Sequence, residues 1–315
     1  MAVKSARGVI VEGTGGVWRV HTPDGAVRDA ALAGRLKQED RGVLKLAVGD
    51  HVTVQEAELG DGASWRITSI EPRTAVLARR EPGRKHGERV LAANVDQVLV
   101  TFAVANPEPH VRMIDRFLVI CEGNDLHAHL VLNKVELPPT KAMVDALARP
   151  YERAGYTVFR TSAKRGDGLE ELRAALHGRV TAFTGPSGVG KSSLLNALHP
   201  GLALRTQEIS ASVNKGRHTT VGSKLIPLPD GDGGYLVDTP GLREVGMWGL
   251  PSGSLDQCFP EFRPHLGECR FQDCQHLSEP GCAVRAAIAA GDVDAGRYES
   301  YVKLRGEIAA TENVW

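Results

Sequence analysis

The sequence predicts a multidomain α/β chain: a small N-terminal β-barrel, a doubly wound α/β unit with a phosphate loop, and a C-terminal helical region that holds a metal. Three observations predict it. Residues 1–72 carry short apolar runs punctuated by Gly and Asp, the pattern of a small barrel. From about residue 90, apolar runs alternate with helix-length stretches, as in a doubly wound sheet. After about residue 248 the chain turns irregular and Cys-containing, then helical from 281 onward. The expected domains are therefore 1–72, 73–248 and 249–315.

The 315 residues suffice for two or three cores. With 42% hydrophobic and 24% charged residues the composition is that of a soluble globular chain, which argues against disorder. Lys plus Arg equals Asp plus Glu at 38 each, so affinity for nucleic acid must come from a local patch. The opening residues lack a long apolar core, and no stretch reaches about 18 apolar residues. A cytoplasmic monomer with no membrane partner is expected. Four of the five Cys fall between 258 and 282, a clustering that favours metal ligation over disulfides in a reducing compartment.

In the barrel the apolar runs are 8–12, 17–21, 47–56 and 65–70. Val48-Gly49-Asp50-His51-Val52-Thr53-Val54 alternates after a Gly-Asp turn, as OB-fold strands do, although any small antiparallel barrel reads this way. Trp18 and Trp65 suit either stacking faces or barrel packing. Residues 73–89 read as a basic connector: Arg73, Arg79, Arg80, Arg84, Lys85 and Arg89 against Glu81 and Glu88. Such a stretch neutralises RNA phosphates or is merely solvated. In the α/β unit, strands are expected at 97–102, 128–132, 157–160, 180–184 and 235–237, and helices at 112–122, 141–154, 169–176 and 192–198.

The strongest motif is Gly185-Pro186-Ser187-Gly188-Val189-Gly190-Lys191-Ser192, followed by Ser193. It fits G-x-x-x-x-G-K-[ST] between a strand and a helix, where backbone N–H groups surround phosphates. Lys191 would reach the β/γ-phosphates and Ser192 would ligate Mg²⁺. Asp238-Thr239-Pro240-Gly241 follows another strand, so Asp238 could hold Mg²⁺ through water and the Gly241 N–H could meet a γ-phosphate. Asn133-Lys134-Val135-Glu136 and Thr161-Ser162-Ala163-Lys164 end two further strands and resemble the guanine-reading elements of GTPases. Alone, either tetrapeptide is an ordinary strand-to-helix loop. Together with both phosphate motifs they point to GTP. Glu136 stands where GTPases usually carry Asp, and its extra methylene displaces the carboxylate unless the loop adjusts.

The base-reading loops precede the phosphate loop, the reverse of the Ras-like order. This is a circular permutation, which a doubly wound sheet tolerates when its termini lie close. Farther on, Cys269, Cys274, His276 and Cys282 form C-x₄-C-x-H-x₅-C. A Cys₃His set suits one tetrahedral Zn²⁺ and leaves no open position, so the site is structural. Few apolar residues surround it, so the metal is expected to supply order that a small core cannot. Cys258 lies outside the set and reads as a packed thiol.

These motifs, with Ala92-Ala93-Asn94-Val95-Asp96-Gln97 and Gly216-Arg217-His218-Thr219-Thr220, make the chain similar to the ribosome small-subunit-dependent GTPase A family over almost its whole length. The resemblance implies an OB-fold barrel and GTP hydrolysis stimulated by the small ribosomal subunit. It also implies contact with rRNA and a role in late maturation of that subunit. By resemblance to GTPase switch loops, one of the two threonines, Thr220, would bind Mg²⁺. Leu242 stands where Ras-type enzymes place a water-orienting Gln, so another group must position the water. His218 is the candidate catalytic group, set against its reading as a solvent-exposed loop histidine, with Arg217 or the ribosome itself as alternatives. Two other readings are a nucleotide-independent RNA-binding assembly protein and a metabolite kinase. Lys191, Ser192 and Asp238 argue against the first, and the base-reading pair argues against the second.

Overall fold

The computed structural model of the chain describes residues 4–34, 36, 46–57, 65–80, 88–138, 140–200, 223–228, 233–238 and 254–312. The chain divides into two compact units. One comprises Met1–Asp96, Leu176–Ala182 and Arg205–Leu242; the other comprises Gln97–Ala175, Phe183–Leu204 and Arg243–Trp315.

In the first unit, β1 (Ser5–Thr14), β2 (Val17–His21), β3 (Val27–Leu32), β4 (His51–Glu56) and β5 (Trp65–Ile70) close into a barrel of order β1-β2-β3-β5-β4. Strands β3 and β5 pair in parallel and the other neighbours antiparallel, giving the five-stranded Greek-key barrel of an OB-fold. Alternation drives Val52, Val54 and Ile67 inward, while the register of β1 shifts between Ile10 and Glu12. That irregularity lets the adjacent residues Ile10 and Val11 both be buried. Strand β3 escapes the sequence reading because Val27–Leu32 holds Arg28 and Asp29, although the turn residues Pro23-Asp24-Gly25 precede it.

Residues 73–89 are not a bare connector. β6 (Val76–Arg80) and β7 (Glu88–Ala93) pair antiparallel, and Arg73 does not face a partner in solution. Its guanidinium meets the fully buried Asp50 carboxylate at 2.6 and 2.8 Å, while Asp50 also accepts the Ala47 N–H. Asn94 donates to the Gly49 carbonyl and accepts from the Thr74 N–H, each at 2.9 Å. These bonds give the turn polar groups buried partners. Trp65 is half-buried beneath the Arg28 guanidinium, 4.9 Å from its ring.

The second sheet has the order β10-β9-β8-β11-β13-β12. Its strands are β8 (Gln97–Ala103), β9 (Ala128–Asn133), β10 (Val158–Thr161), β11 (Val180–Thr184), β12 (Lys224–Pro227) and β13 (Tyr235–Asp238). All residues of β8 and β9 are buried, as expected for parallel strands covered on both faces. Strand β12 runs antiparallel to β13 and was not legible, being four residues that end in Pro. The helices are α1 (Val111–Glu122), α2 (Lys141–Arg153), α3 (Leu169–Leu176) and α4 (Lys191–Leu198), within a residue of expectation.

The C-terminal region belongs to the second unit, with α5 (Ala283–Ala290) and α6 (Ala295–Glu312) preceded by 3-10 turns at Asp256–Cys258 and Pro260–His265. Contrary to expectation it has an apolar core of its own. Phe259, Phe262 and Tyr301 are fully buried, and Val119 of α1 joins the cluster. Arg297 of α6 ties this region to α1. Buried to 1% exposure, it bonds Asp115 at 2.8 Å and Glu261 at 2.7 and 3.0 Å, and its guanidinium stacks 4.8 Å from the Phe259 ring.

Candidate nucleotide site and metal centre

Strand β11 ends at Thr184 and α4 begins at Lys191, so the Gly-rich motif is the strand-to-helix loop. A Cβ at Gly185 would lie 2.0 Å from the Thr101 carbonyl oxygen, and its φ of 131° is open only to glycine. A Cβ at Gly190, φ 93°, would lie 2.6 Å from the Asn133 side-chain nitrogen. Glycine therefore lets the loop approach both β8 and the end of β9. Lys191 and Ser192 are each 8% exposed, and the Lys191 ammonium donates to the carbonyls of Gly185 and Pro186 at 2.7 Å. Ser187, Gly188 and Ser193 are exposed, Pro186 is half-buried, and Val189 is buried.

The base-reading residues reach this same loop. Asn133, at the end of β9 and 1% exposed, donates to the Val189 carbonyl at 2.9 Å and accepts from the Thr161 hydroxyl at 3.2 Å. Lys134, held at φ 66°, donates to the Gly188 carbonyl at 2.7 Å and to the Asn106 carbonyl. The Glu136 Oε2 atom is buried without a hydrogen-bond partner among the described residues. A buried bare acceptor is costly until a donor arrives. Ser162 is buried and accepts the Arg165 N–H at 3.0 Å, Ala163 is half-buried, and Lys164 is exposed. The bond from Thr161 to Asn133 and the part played by Asn106 were missed: Thr161 reads in the sequence only as the first residue of a base-reading tetrapeptide, and Asn106 sits in a loop with no motif.

Asp238 closes β13, and its side chain lies outside the described residues. Gly216, Arg217, His218, Thr219, Thr220, Thr239, Pro240, Gly241 and Leu242 also lie outside them.

The donor atoms of Cys269, Cys274, His276 and Cys282 all lie within 4.8 Å of one another. Cys269 Sγ and Cys282 Sγ are 4.0 Å apart, and His276 Nδ1 is 3.6 and 3.4 Å from them. A tetrahedral zinc with Zn–S of about 2.3 Å and Zn–N of about 2.0 Å requires edges of roughly 3.5–3.8 Å. The set fits one Zn²⁺. His276 Nδ1 faces the sulfurs while its Nε2 lies 3.5 Å from the Asp256 carboxylate, which can orient the ring. The Ala283 N–H donates to Cys269 Sγ at 3.3 Å and the Arg285 N–H to Cys282 Sγ at 3.5 Å, so the start of α5 aims backbone donors at two of the sulfurs. Glu279 accepts the N–H groups of Gln275, Leu277 and Ser278 at 2.8–3.0 Å, stiffening the loop between ligands. Cys258 is a packed thiol: burial pushes it up to about 11, too high for a ready thiolate.

A doubly wound sheet with base-reading loops ahead of a phosphate loop in chain order defines a circularly permuted P-loop GTPase. The comparisons carry this to a family. The RsgA GTPase family profile matches residues 70–248. The protein of Gemmatimonas aurantiaca named small ribosomal subunit biogenesis GTPase RsgA is 58% identical over 304 residues, spanning 96% of this chain and 98% of that one. Its namesake from Moorella thermoacetica is 38% identical over 305 residues, spanning 97% and 98%. The crystal structure of YjeQ from Thermotoga maritima superposes with a TM-score of 0.79 at 33% identity, covering 97% of this chain and 99% of that one. That of YloQ, titled a circularly permuted GTPase, gives 0.77 at 29%, covering 98% and 96%. The chain belongs to the RsgA GTPase family and is a GTP hydrolase. No helix among the described residues is long and apolar enough to cross a membrane.

Proposed function

We propose that the chain is a cytoplasmic GTPase stimulated by the small ribosomal subunit and its rRNA, which acts late in that subunit's maturation and couples hydrolysis to binding and release. The observation that carries the nucleotide reading is the union of two loops. Asn133 and Lys134 bond the carbonyls of Val189 and Gly188, so a base and its phosphates would be held by one rigid assembly.

In this reading Gly185 to Ser193 surround the phosphates, and Lys191 leaves its two carbonyls for the β/γ-phosphates. Ser192, Asp238 and Thr220 serve Mg²⁺, and the Gly241 N–H meets the γ-phosphate. Asn133, Lys134, Ser162, Ala163 and Lys164 frame guanine, whose N–H groups supply Glu136 with the partner it lacks. His218 orients the attacking water. Cys269, Cys274, His276 and Cys282 hold zinc. Residues 1–72, 73–248 and 249–315 serve as RNA-binding barrel, GTPase domain and zinc-binding domain.

Phosphate release from GTP and from ATP, with and without purified small subunits, tests the reading. GTP turnover rising with subunits, and ATP inert throughout, is the expected result. Turnover of GTP indifferent to subunits would remove the ribosomal role.

A further inference from the structure

Among the described residues of the first unit, side chains join the barrel to β12 and β13 at two points. Glu12 of β1 receives the ammonium of Lys224, the first residue of β12, at 2.6 Å, and also holds Arg19 at 3.1 Å. His21, the last residue of β2, places Nδ1 2.8 Å from the hydroxyl of Tyr235, the first residue of β13. The two rings meet edge to face, centroids 5.7 Å apart at 80°. In the β12–β13 register Lys224 stands opposite Asp238 and Pro227 opposite Tyr235. The two links therefore hold opposite ends of the strand pair, so the pair cannot pivot about a single contact. One link lies directly across from Asp238. Burial raises the Tyr235 hydroxyl, keeping it neutral, and the Lys224 hydrogen bond lowers the Glu12 carboxyl, keeping it ionised.

We propose that Glu12 and His21 are positioning residues, a two-point clamp through which a ligand engaged by the barrel sets the placement of Asp238 and so the rate of GTP hydrolysis. The proposal rests on the ribosomal reading above for the identity of that ligand.

Charge reversal tests it in the full-length chain. Glu12→Lys and Lys224→Glu should each cut the ratio of subunit-stimulated to basal turnover about fivefold, the scale of one surface ion pair. The subunit concentration giving half-stimulation should stay unchanged, and the doubly reversed variant should recover the ratio. An unchanged ratio in the single variants overturns the clamp. So does a loss that double reversal does not repair, or a rise in the half-stimulating concentration, which would place these residues against the subunit itself. A second measurement needs no subunit. Amide hydrogen exchange in β1 and β2 should differ between the GDP-bound and GTP-analogue-bound wild type, and this difference should vanish in Glu12→Lys. Absence of stimulation in wild type would fall on the ribosomal reading, and the exchange comparison would then decide the clamp alone: no difference in wild type, or one that persists in Glu12→Lys, overturns it.

Discussion

Single residues separate what the sequence could tell from what it could not. The phosphate loop was legible because its chemistry demands Gly, Lys and Ser at fixed spacing, and the structure supplies the reason: a Cβ at Gly185 would strike the Thr101 carbonyl. The role of Asn133 as a tie to Val189 was not legible, since a hydrogen bond across 56 positions leaves no local pattern. Arg73 misled outright: composition counts its charge but cannot see Asp50 buried beside it. Two expectations belong at this scale. Glu136→Gln would replace by an amide the carboxylate that, in the proposed reading, accepts the guanine N–H groups, and should weaken GTP binding about 10- to 100-fold by calorimetry, the worth of a hydrogen bond to a charged group. ATP binding should not change. Lys191→Ala should abolish turnover of GTP while the melting temperature falls little, because the ammonium, which donates to the Gly185 and Pro186 carbonyls at 2.7 Å, would act on phosphate rather than on packing.

At the scale of elements, the strands and helices expected in the α/β unit emerged within a residue of their bounds, whereas β1 and β4 depart from the expected runs 8–12 and 47–56 by up to four residues, and β3, β6, β7 and β12 were not legible. Each of these is short or charged, and its pairing is decided by partners distant in the chain. The zinc loop was legible from ligand spacing, but the aromatic core beside it was not, because Phe259, Phe262 and Tyr301 come together only when α6 folds back. Two interactions fix this region. Replacing Arg297 by Met strands Asp115 and Glu261 as buried charges and should cost about 3–5 kcal/mol, seen as a lower urea midpoint and lost exchange protection in α6. Burial is the largest single influence on Glu279 and raises it, yet its several backbone N–H bonds together outweigh that and hold the carboxyl at about 2 instead of the usual 4.5. Its folded value is depressed, so its contribution is fully present above pH 4.5 and is lost as pH falls toward 2. The melting-temperature gap between wild type and Glu279→Gln should close across that window.

For the molecule as a whole, permuted motif order was the most informative signal, because it concerns sequence rather than geometry. The partition into units was illegible, since it cuts through β11 and leaves no composition change behind. Association with the small subunit should follow counterion release: neutralising Arg79, Arg80, Arg84 and Lys85 together should reduce the salt slope by about 3, read from binding isotherms at several salt concentrations. An unchanged slope would return the hairpin to scaffolding. The discontinuous first unit also bears on how the chain is made. The barrel strands end at Ile70, yet the unit they belong to includes residues as far as Leu242. At about 5–20 residues per second, synthesis from Asp96 to Leu242 takes roughly 7–30 s, a long wait for a half-finished surface. During that interval the sides of Glu12 and His21 that will meet β12 and β13 stand open, and the nascent barrel is exposed to whatever chaperone or RNA reaches it first.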